Sequence, residues 1–252
     1  MVQESVQRTS FSGPALIRLL ARLNNADVSQ PAQPLPERLS QWLGWSEAIA
    51  LSKVLGGNVP VAASGLSEPD GAGRDYNHVR TTLREAISKV NAPAPARHRA
   101  KPAPSANRPR TDAVPDIDFS DYRRRYIALQ QTMETRSTEL RTRLRSILAH
   151  RSAEMAGLAA VDAVMERALS EREFSLLARI PALLEMHFKR LKQAAQRPLE
   201  DPSETDSAQV QKTGGQTQAW LDVFHEDMQS VLFAELDVRL QPAQALLAAL
   251  NR

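Results

Sequence analysis

The sequence predicts an all-α fold, in which a small N-terminal helical domain is tethered by a Pro-rich linker to an antiparallel helical bundle. Aromatic residues make up only 5% of the 252 residues, whereas Ala, Leu, Arg, Gln and Glu are abundant, and this bias favours helices over sheets. Apolar residues also recur at spacings of three and four in several long segments. Six of the 16 prolines lie between residues 92 and 118, so they divide the helical segments into two groups.

Residues 1–91 are predicted to form four helices that pack as the N-terminal domain. In chain order their sequences are "FSGPALIRLLARLNN", "PERLSQWLG", "EAIALSKVL" and "DYNHVRTTLREAISKVN". Proline or a serine cap opens each of the first three, and glycine ends the second and the third. A polar loop that ends at Gly73 is expected between the third helix and the fourth.

Residues 92–118 are predicted to form the linker. The stretch "APAPARHRAKPAPSANRPRTDAVPD" contains five basic residues, and its dense proline prevents a helix and favours extended conformations. We interpret it as a spacer. The alternative is a docking segment or a basic arm that contacts phosphate groups.

The first helix of the bundle has the strongest pattern in the chain, "DYRRRYIALQQTMETRSTELRTRLRSILAHR", with Asp118 or Ser120 as its cap. Its apolar residues fall in a narrow seam that suits packing on other helices. They are Tyr122, Tyr126, Leu129, Met133, Leu140, Leu144 and Ile147. Arg136 alone interrupts this seam, near its middle.

Further helices complete the predicted bundle of residues 119–252. One covers about 153–169, and the next contains Pro181, where we expect a kink or a new helix start. A polar linker at about 198–215 precedes the last long helix, which is rich in apolar residues. Pro242 is expected to interrupt that helix and to open a short terminal one.

Several of these segments resemble an uncharacterised proteobacterial family that is known only as a domain of unknown function. They are "FSGPALIRLLARL", "RLSQWLGWSEAIALS", "DYRRRYIALQQTME", "LAAVDAVMERALSERE", "LLARIPALLEMHFKRL" and "AWLDVFHEDMQSVLFAELDVRLQP". The resemblance covers most of the chain outside the linkers and rests on helix-packing patterns, so it implies no activity, cofactor or catalytic residue. It does imply a context, because members are often encoded near MotA/TolQ/ExbB-type proton-channel components and OmpA-like envelope proteins.

The eight arginines of residues 121–151 raise the question of their partner. Residues 119–197 contain 15 basic and nine acidic groups, whereas residues 198–252 contain three basic and nine acidic groups. This opposite imbalance favours ion pairs between the Arg-rich helix and the C-terminal portion. The alternatives are an acidic surface on a protein partner and the phosphates of a nucleic acid. The candidate interaction residues on this helix are Arg123, Arg124, Arg125, Arg141 and Arg145.

Two further candidate interaction residues, Trp42 and Trp45, flank Gly44. A pair of this kind can line a peptide-binding groove. We favour the alternative that both are core anchors, since buried aromatic side chains dominate small helical cores.

No catalytic, cofactor-binding or metal site is predicted. The chain has no cysteine and no phosphate-binding or nucleophile-elbow motif, and none of its five histidines has a second histidine three or four residues away. We expect His187 to be packed near an apolar stripe and His225 to lie on a solvated acidic face. With no signal peptide and no apolar stretch of about 20 residues, a cytoplasmic location is expected.

These features predict a non-enzymatic helical interaction or scaffold protein, acting as an accessory factor of an envelope-associated complex. It would bind a protein partner and need no cofactor. The sequence is compatible with a monomer and with an oligomer. The alternative is a nucleic-acid-associated protein that binds weakly through the Arg-rich helix and the basic linker.

Overall fold

A computed structural model describes residues 15–26, 33–57, 69–91, 118–196 and 210–252 of the chain. These ranges contain helices and no strand, which confirms the all-α prediction. In chain order the helices are α1 (Ala15–Leu23), α2 (Leu35–Trp42), α3 (Trp45–Leu55), α4 (Pro69–Ser88), α5 (Ser120–Ala149), α6 (Ala153–Leu177), α7 (Ile180–Gln196) and α8 (Val210–Leu250).

Helix α5 packs against α4, α6, α7 and α8, so it is the centre of the fold. Four residues of its predicted seam are buried: Tyr126, Met133, Leu140 and Leu144. The remaining three, Tyr122, Leu129 and Ile147, are partly buried against the core. The seam passes through Ser137 at its middle, where the buried hydroxyl donates to the Met133 carbonyl oxygen at 2.7 Å. Arg136, which was expected to interrupt the seam, instead faces solvent.

Helix α8 supplies the opposite side of the core. Its fully buried apolar side chains recur at helical spacing: Phe224, Met228, Val231, Leu232 and Leu236. At one end of the bundle the rings of α5, α7 and α8 form an aromatic cluster, in which Phe224 lies 5.0 Å from Phe188 and 5.3 Å from Tyr122 between ring centroids. Such edge-on pairs add stability beyond the apolar area that they bury.

Helices α1 and α4 belong to the same core, so the described part of residues 1–91 does not form a domain of its own. Leu16 of α1 and Leu83 and Ile87 of α4 are buried in one cluster with α5, α7 and α8. The α4 end is also held by side chains from the other half of the chain. Gln229 of α8 donates to the Ile87 and Ser88 carbonyl oxygens at 3.2 Å. The expected linker lies outside the described residues except for Asp118.

Three helix boundaries differ from the predictions. Helix α4 begins at Pro69 and includes the last five residues of the expected polar loop, because the small Ala72 is buried there against the core, and residues 58–68 of that loop lie outside the described residues. Helix α6 continues to Leu177, well beyond residue 169. Helix α8 begins at Val210, inside the expected second linker, and continues to Leu250.

Pro181 and Pro242 occupy different positions in their helices: Pro181 lies at the start of α7, whereas Pro242 lies inside α8. Pro181 lies in the first turn of α7, as the predicted fresh helix start requires, because a first-turn N–H has no helical acceptor. Pro242 was expected to end a helix, and this prediction is wrong, since α8 passes through it. Leu240, Ala243 and Leu246 are buried around it, so packing offsets the hydrogen bond that Pro242 cannot donate.

Helix α3 packs on the outer side of α6, and Leu43 and Gly44 connect it to α2. We call these two successive helices the α2–α3 hairpin. None of its described side chains from Pro36 to Leu55 is fully buried. Gly44 separates the two helices and is the N-cap of α3. This α2–α3 hairpin is therefore the one described part of the fold that lies on the core without contributing a buried residue to it.

Candidate functional site

Arg141 and Arg145, two of the candidate interaction residues, pair inside the chain with acidic residues of α6. The guanidinium of Arg141 contacts both carboxylate oxygens of Asp162, at 2.7 and 2.9 Å, and Arg145 contacts the same carboxylate at 3.3 Å. Glu166 contacts both arginines. Only 15% of the side-chain area of Arg141, Arg145 and Asp162 remains exposed. These arginines therefore fasten α5 to α6 and are not available to phosphates.

The other arginines of α5 are distributed over several partners. Arg143 pairs with Asp75 of α4 at 2.8 Å, and Arg124 pairs with Asp121 at 2.7 Å on its own helix. Arg125 donates to the carbonyl oxygen of Val90, two residues after the end of α4, at 3.2 Å. Arg123 is exposed. The candidate arginines thus do not form one basic surface within the described residues.

We predicted that the arginines of α5 pair with the acidic C-terminal portion. This prediction is wrong for Arg141, Arg143 and Arg145, whose described partners lie on α6 and α4. Helix α8 does lie along α5, as that hypothesis required. Its two inward-facing acidic residues have other partners, because Glu235 pairs with Arg239 and Asp227 pairs with His187. The acidic stretch at residues 200–206 lies outside the described residues.

A buried polar network at the α5–α8 interface was not predicted. Glu235 is completely buried, and it accepts hydrogen bonds from Tyr126 at 2.7 Å, from Gln130 at 3.1 Å and from Arg239 at 2.8 Å. Burial, followed by the nearby carboxylate, raises the pKa of Tyr126 well above its usual value. One signal in the sequence could have revealed this network. Glu235 lies next to Leu236 of the apolar stripe of α8, and Arg239 follows it by four residues, which is the spacing of a helical ion pair.

Two cavities of about 150 and 190 Å³ lie on either side of Arg239, between α5, α6 and α8. Glu134, Phe174 and Arg239 line both, and Glu173 lines the smaller one. Burial raises the pKa of Glu173, and the positive charges of Arg239 and Arg141 partly oppose this effect. Both cavities are small, since ligand-binding sites typically measure roughly 300–1,000 Å³.

The two histidines of the bundle core have structural partners. His187 is buried as expected, and its Nε2 lies 2.8 Å from Asp227 while its Nδ1 lies 3.2 Å from the Arg190 guanidinium. Because Arg190 can only donate, Nδ1 is the acceptor and Nε2–H donates to Asp227. Arg190 also donates to the Leu23 carbonyl oxygen, so this group joins α1 to α7 and α8.

His225 was expected on a solvated face, and this prediction is wrong. Its ring packs on Tyr122 with 5.3 Å between centroids, and its Nε2 lies 3.0 Å from the Tyr122 hydroxyl. Burial lowers the pKa of His225 below its ordinary value of 6.5. The imidazole is therefore held in its neutral form at neutral pH.

The tryptophan pair lies on the α2–α3 hairpin, and its two members differ. Trp45 is 85% exposed, so the prediction that it anchors a core is wrong. Trp42 is half-buried, and the guanidinium carbons of Arg38 and Arg172 lie 4.8 and 4.7 Å from its ring centroid. Because Arg172 belongs to α6, this stack joins the hairpin to the bundle.

An open groove of about 430 Å³ runs beside Trp42, between α2 and the C-terminal half of α6. Its lining residues are Gln41, Trp42, Ala168, Glu171, Arg172, Ser175, Leu176 and Arg179. We call it the Trp42 groove. Leu176 is 59% exposed beside it, so the groove has both an apolar and a cationic part. Of the seven predicted interaction residues, only Trp42 lies in this groove.

The described ranges contain neither a cluster of metal-ligating side chains nor a helix that could span a membrane. No three His, Asp or Glu side chains there are grouped closely enough to hold a metal ion. None of the described helices is both long and apolar enough to span a bilayer.

Comparison with known proteins identifies the family and nothing more specific. No curated protein and no solved structure was found to match the chain. The family model described as "Protein of unknown function (DUF3348)" matches residues 1–252, which is the whole sequence. The chain therefore belongs to the DUF3348 family of proteins of unknown function.

Proposed function

We propose that this protein is a non-enzymatic interaction or scaffold protein, in which the helical bundle is a rigid base and the α2–α3 hairpin is the surface that meets a protein partner. One observation supports this most directly. The hairpin buries none of its described side chains fully, yet it exposes Trp45 by 85% and Leu55 by 70%.

Ordering this hairpin costs conformational entropy. Fixing each residue costs about 1–2 kcal/mol of backbone entropy, and apolar burial normally offsets that cost. Helix α3 obtains only partial burial from α6, because Ala50, Leu51 and Val54 are partly buried and no residue of the helix is fully buried. A partner that covers Trp45, Ile49 and Leu55 would supply the missing burial, and large exposed aromatic side chains are typical of protein interfaces.

The bundle is suited to the role of a base. Its core runs without interruption through α1, α4, α5, α7 and α8, and buried polar groups of α5 and α8 specify one register. A rigid base lowers the entropy that is lost on binding. The resemblance found in the sequence suggests an envelope-associated complex as the setting for the partner.

A nucleic-acid role is the second candidate, and one observation favours it. Arg123 is exposed on α5, and Arg38, Arg172 and Arg179 have no carboxylate within ion-pairing distance among the described residues. The pairing of Arg141 and Arg145 with α6 weighs against it, since these were two of the five candidate arginines.

Site-specific photocrosslinking in the native host tests the proposed function. A benzophenone amino acid at Trp45 should give one dominant protein adduct that survives nuclease treatment. The same group at Thr82, an exposed position on α4, is the matched control and should not give it. Equal labelling at both positions, or no protein adduct at Trp45, would contradict a partner on the hairpin. A nuclease-sensitive adduct would favour the nucleic-acid role.

A further inference from the structure

The arginines around Trp42 differ from those of α5 in one respect. Most described arginines of α5 contact a carboxylate, whereas no described carboxylate lies within ion-pairing distance of Arg38, Arg172 or Arg179. Arg172 and Arg179 line the Trp42 groove together with a single acidic residue, Glu171. The groove lining therefore has two positive charges against one negative charge, and neither arginine is within ion-pairing distance of a described carboxylate.

The contact with Trp42 leaves N–H donors of these arginines for a ligand. The guanidinium carbons of Arg38 and Arg172 lie 4.8 and 4.7 Å from the centroid of the Trp42 ring, within the range of a cation–π contact. A guanidinium has five N–H donors, and neither of these two pairs with a described carboxylate. A planar carboxylate is the group that fits the edge of a guanidinium with two parallel hydrogen bonds.

We propose that the Trp42 groove binds an acidic segment of a protein partner, with a carboxylate on the edge of Arg172 and a neighbouring apolar side chain on Leu176. This rests on the proposed interaction function and specifies the chemistry of the partner. Charge complementarity selects the occupant. The groove lining has two arginines, Arg172 and Arg179, against one glutamate, and Arg38 contacts the Trp42 ring beside it. The groove volume of about 430 Å³ accommodates a few side chains of a peptide.

A nucleic acid fits the groove less well. Phosphate backbones bind along a continuous basic track, and their affinity falls steeply with salt. The groove does not belong to such a track, because Arg141 and Arg145 of α5 are paired with Asp162 and Glu166 and do not extend its basic surface. The peptide is therefore the occupant that the geometry favours.

The test is fluorescence anisotropy of the full-length protein with three labelled probes. The first is a short peptide that alternates Asp or Glu with Leu, the second is the same peptide with Asn and Gln, and the third is single-stranded DNA. The acidic peptide should bind most tightly. Arg172→Gln should weaken its binding about tenfold or more, because it removes a charge-assisted pair of hydrogen bonds. Arg80→Gln, an equal charge change at an exposed position on α4, should have little effect.

Three outcomes would overturn the proposal. The first is equal binding of the acidic and the amide peptides, and the second is tighter binding of the DNA. The third concerns the chain's own acidic stretch, neutralised in a variant with Glu200, Asp201, Glu204 and Asp206 replaced by their amides. If the peptide binds only to this variant, the groove belongs to the chain itself. A Trp45 crosslink without acidic-peptide binding would reject the groove chemistry while leaving the interaction function intact.

Discussion

A single buried carboxylate, Glu235, organises the α5–α8 interface. Removing its charge from water costs several kcal/mol, so it is tolerated only because Arg239, Gln130 and Tyr126 all donate to it. An apolar residue at this position would avoid that cost. The network instead favours one register of α8 on α5, since sliding either helix by one turn would separate the carboxylate from Tyr126 and Gln130, its two donors on α5.

Arg239→Met should therefore destabilise the protein strongly, by about 3–5 kcal/mol, because Glu235 is left charged and buried. The double variant Glu235→Gln/Arg239→Met should recover part of this loss. Urea denaturation at neutral pH measures both, and Gln131→Ala on the exposed side of α5 is the control. A double variant no more stable than the single one would show that the charge is not what makes Arg239 necessary.

His225 should make stability depend on pH. Because burial lowers its pKa below 6.5, the unfolded chain binds a proton at this site at higher pH than the folded one does. Stability from this group is thus fully present above 6.5 and is lost as the pH falls from there to the lowered folded pKa. Denaturation at about pH 7.5 and about pH 5.5 should show a smaller loss for His225→Gln than for the native protein. Equal losses would mean that His225 is solvated.

The predictions for single residues were mostly correct when they concerned only whether a side chain is buried. The apolar spacing predicted a packed His187 and most of the α5 seam. It could not predict the partners of His225 or Glu235, because those depend on which helices become neighbours. Trp45 was misjudged for a related reason, since an aromatic side chain is equally suited to a core and to an interface.

At the scale of helices, the α5 seam gives a graded test. Leu144 is completely buried, so Leu144→Ala should cost about 2–5 kcal/mol. Leu129 is only partly buried, and Leu129→Ala should cost clearly less. Thermal and urea unfolding of both variants measure the difference. Equal effects would contradict the orientation of α5 in the bundle.

The α5–α6 ion-pair cluster should contribute more to the folding stability than the exposed ion pairs of α5 do. Asp162→Ala leaves Arg141 and Arg145 poorly paired at 15% exposure and should cost about 1.5–3 kcal/mol. Glu139→Ala removes an exposed pair with Arg136 on one helix and should cost less than about 0.5 kcal/mol. Urea denaturation in low and high salt separates them. A change of similar size in both variants would show that the α6 contact is no stronger than a surface pair.

The partner of α5 could not be found from net charge. Residues 198–252 have the larger acidic excess, yet Asp162 and Glu166 pair with Arg141 and Arg145. The reason is geometric. Helix α6 follows α5 after a short turn and lies antiparallel to it, which places Asp162 and Glu166, four residues apart, opposite Arg141 and Arg145, also four apart. Spacing on adjacent helices therefore predicts ion pairs better than regional charge does.

At the scale of the whole molecule, the shared core makes a prediction about cleavage. A specific protease site introduced between residues 92 and 117 should divide the chain, but the two parts should stay associated, because α1 and α4 pack on α5, α7 and α8. Gel filtration under native conditions should give one peak, and denaturant should unfold both parts together. Separation into two folded species would instead support the two-domain organisation predicted from the sequence.

The helices themselves were largely predictable, whereas their grouping was not. Periodicity marks which face of α4 is apolar, but it does not say whether α1 or α8 covers that face. The proline-rich stretch at 92–118 suggested a domain boundary, because such composition is common between domains. A long connection between two helices of one core has the same composition.

The position of α8 in the chain has a consequence for biosynthesis. Because α8 supplies the side of the core on which α1 and α4 pack, these two helices have no complete binding surface until α8 has left the ribosome. Helix α4 ends at Ser88 and α8 begins at Val210. At translation rates of about 5–20 residues per second, the nascent chain therefore exposes its apolar faces for about 6–24 seconds before α8 begins to be made. Chaperones that hold nascent chains should therefore engage this protein early. Chains that terminate before α8 should be recognised as unfolded and degraded.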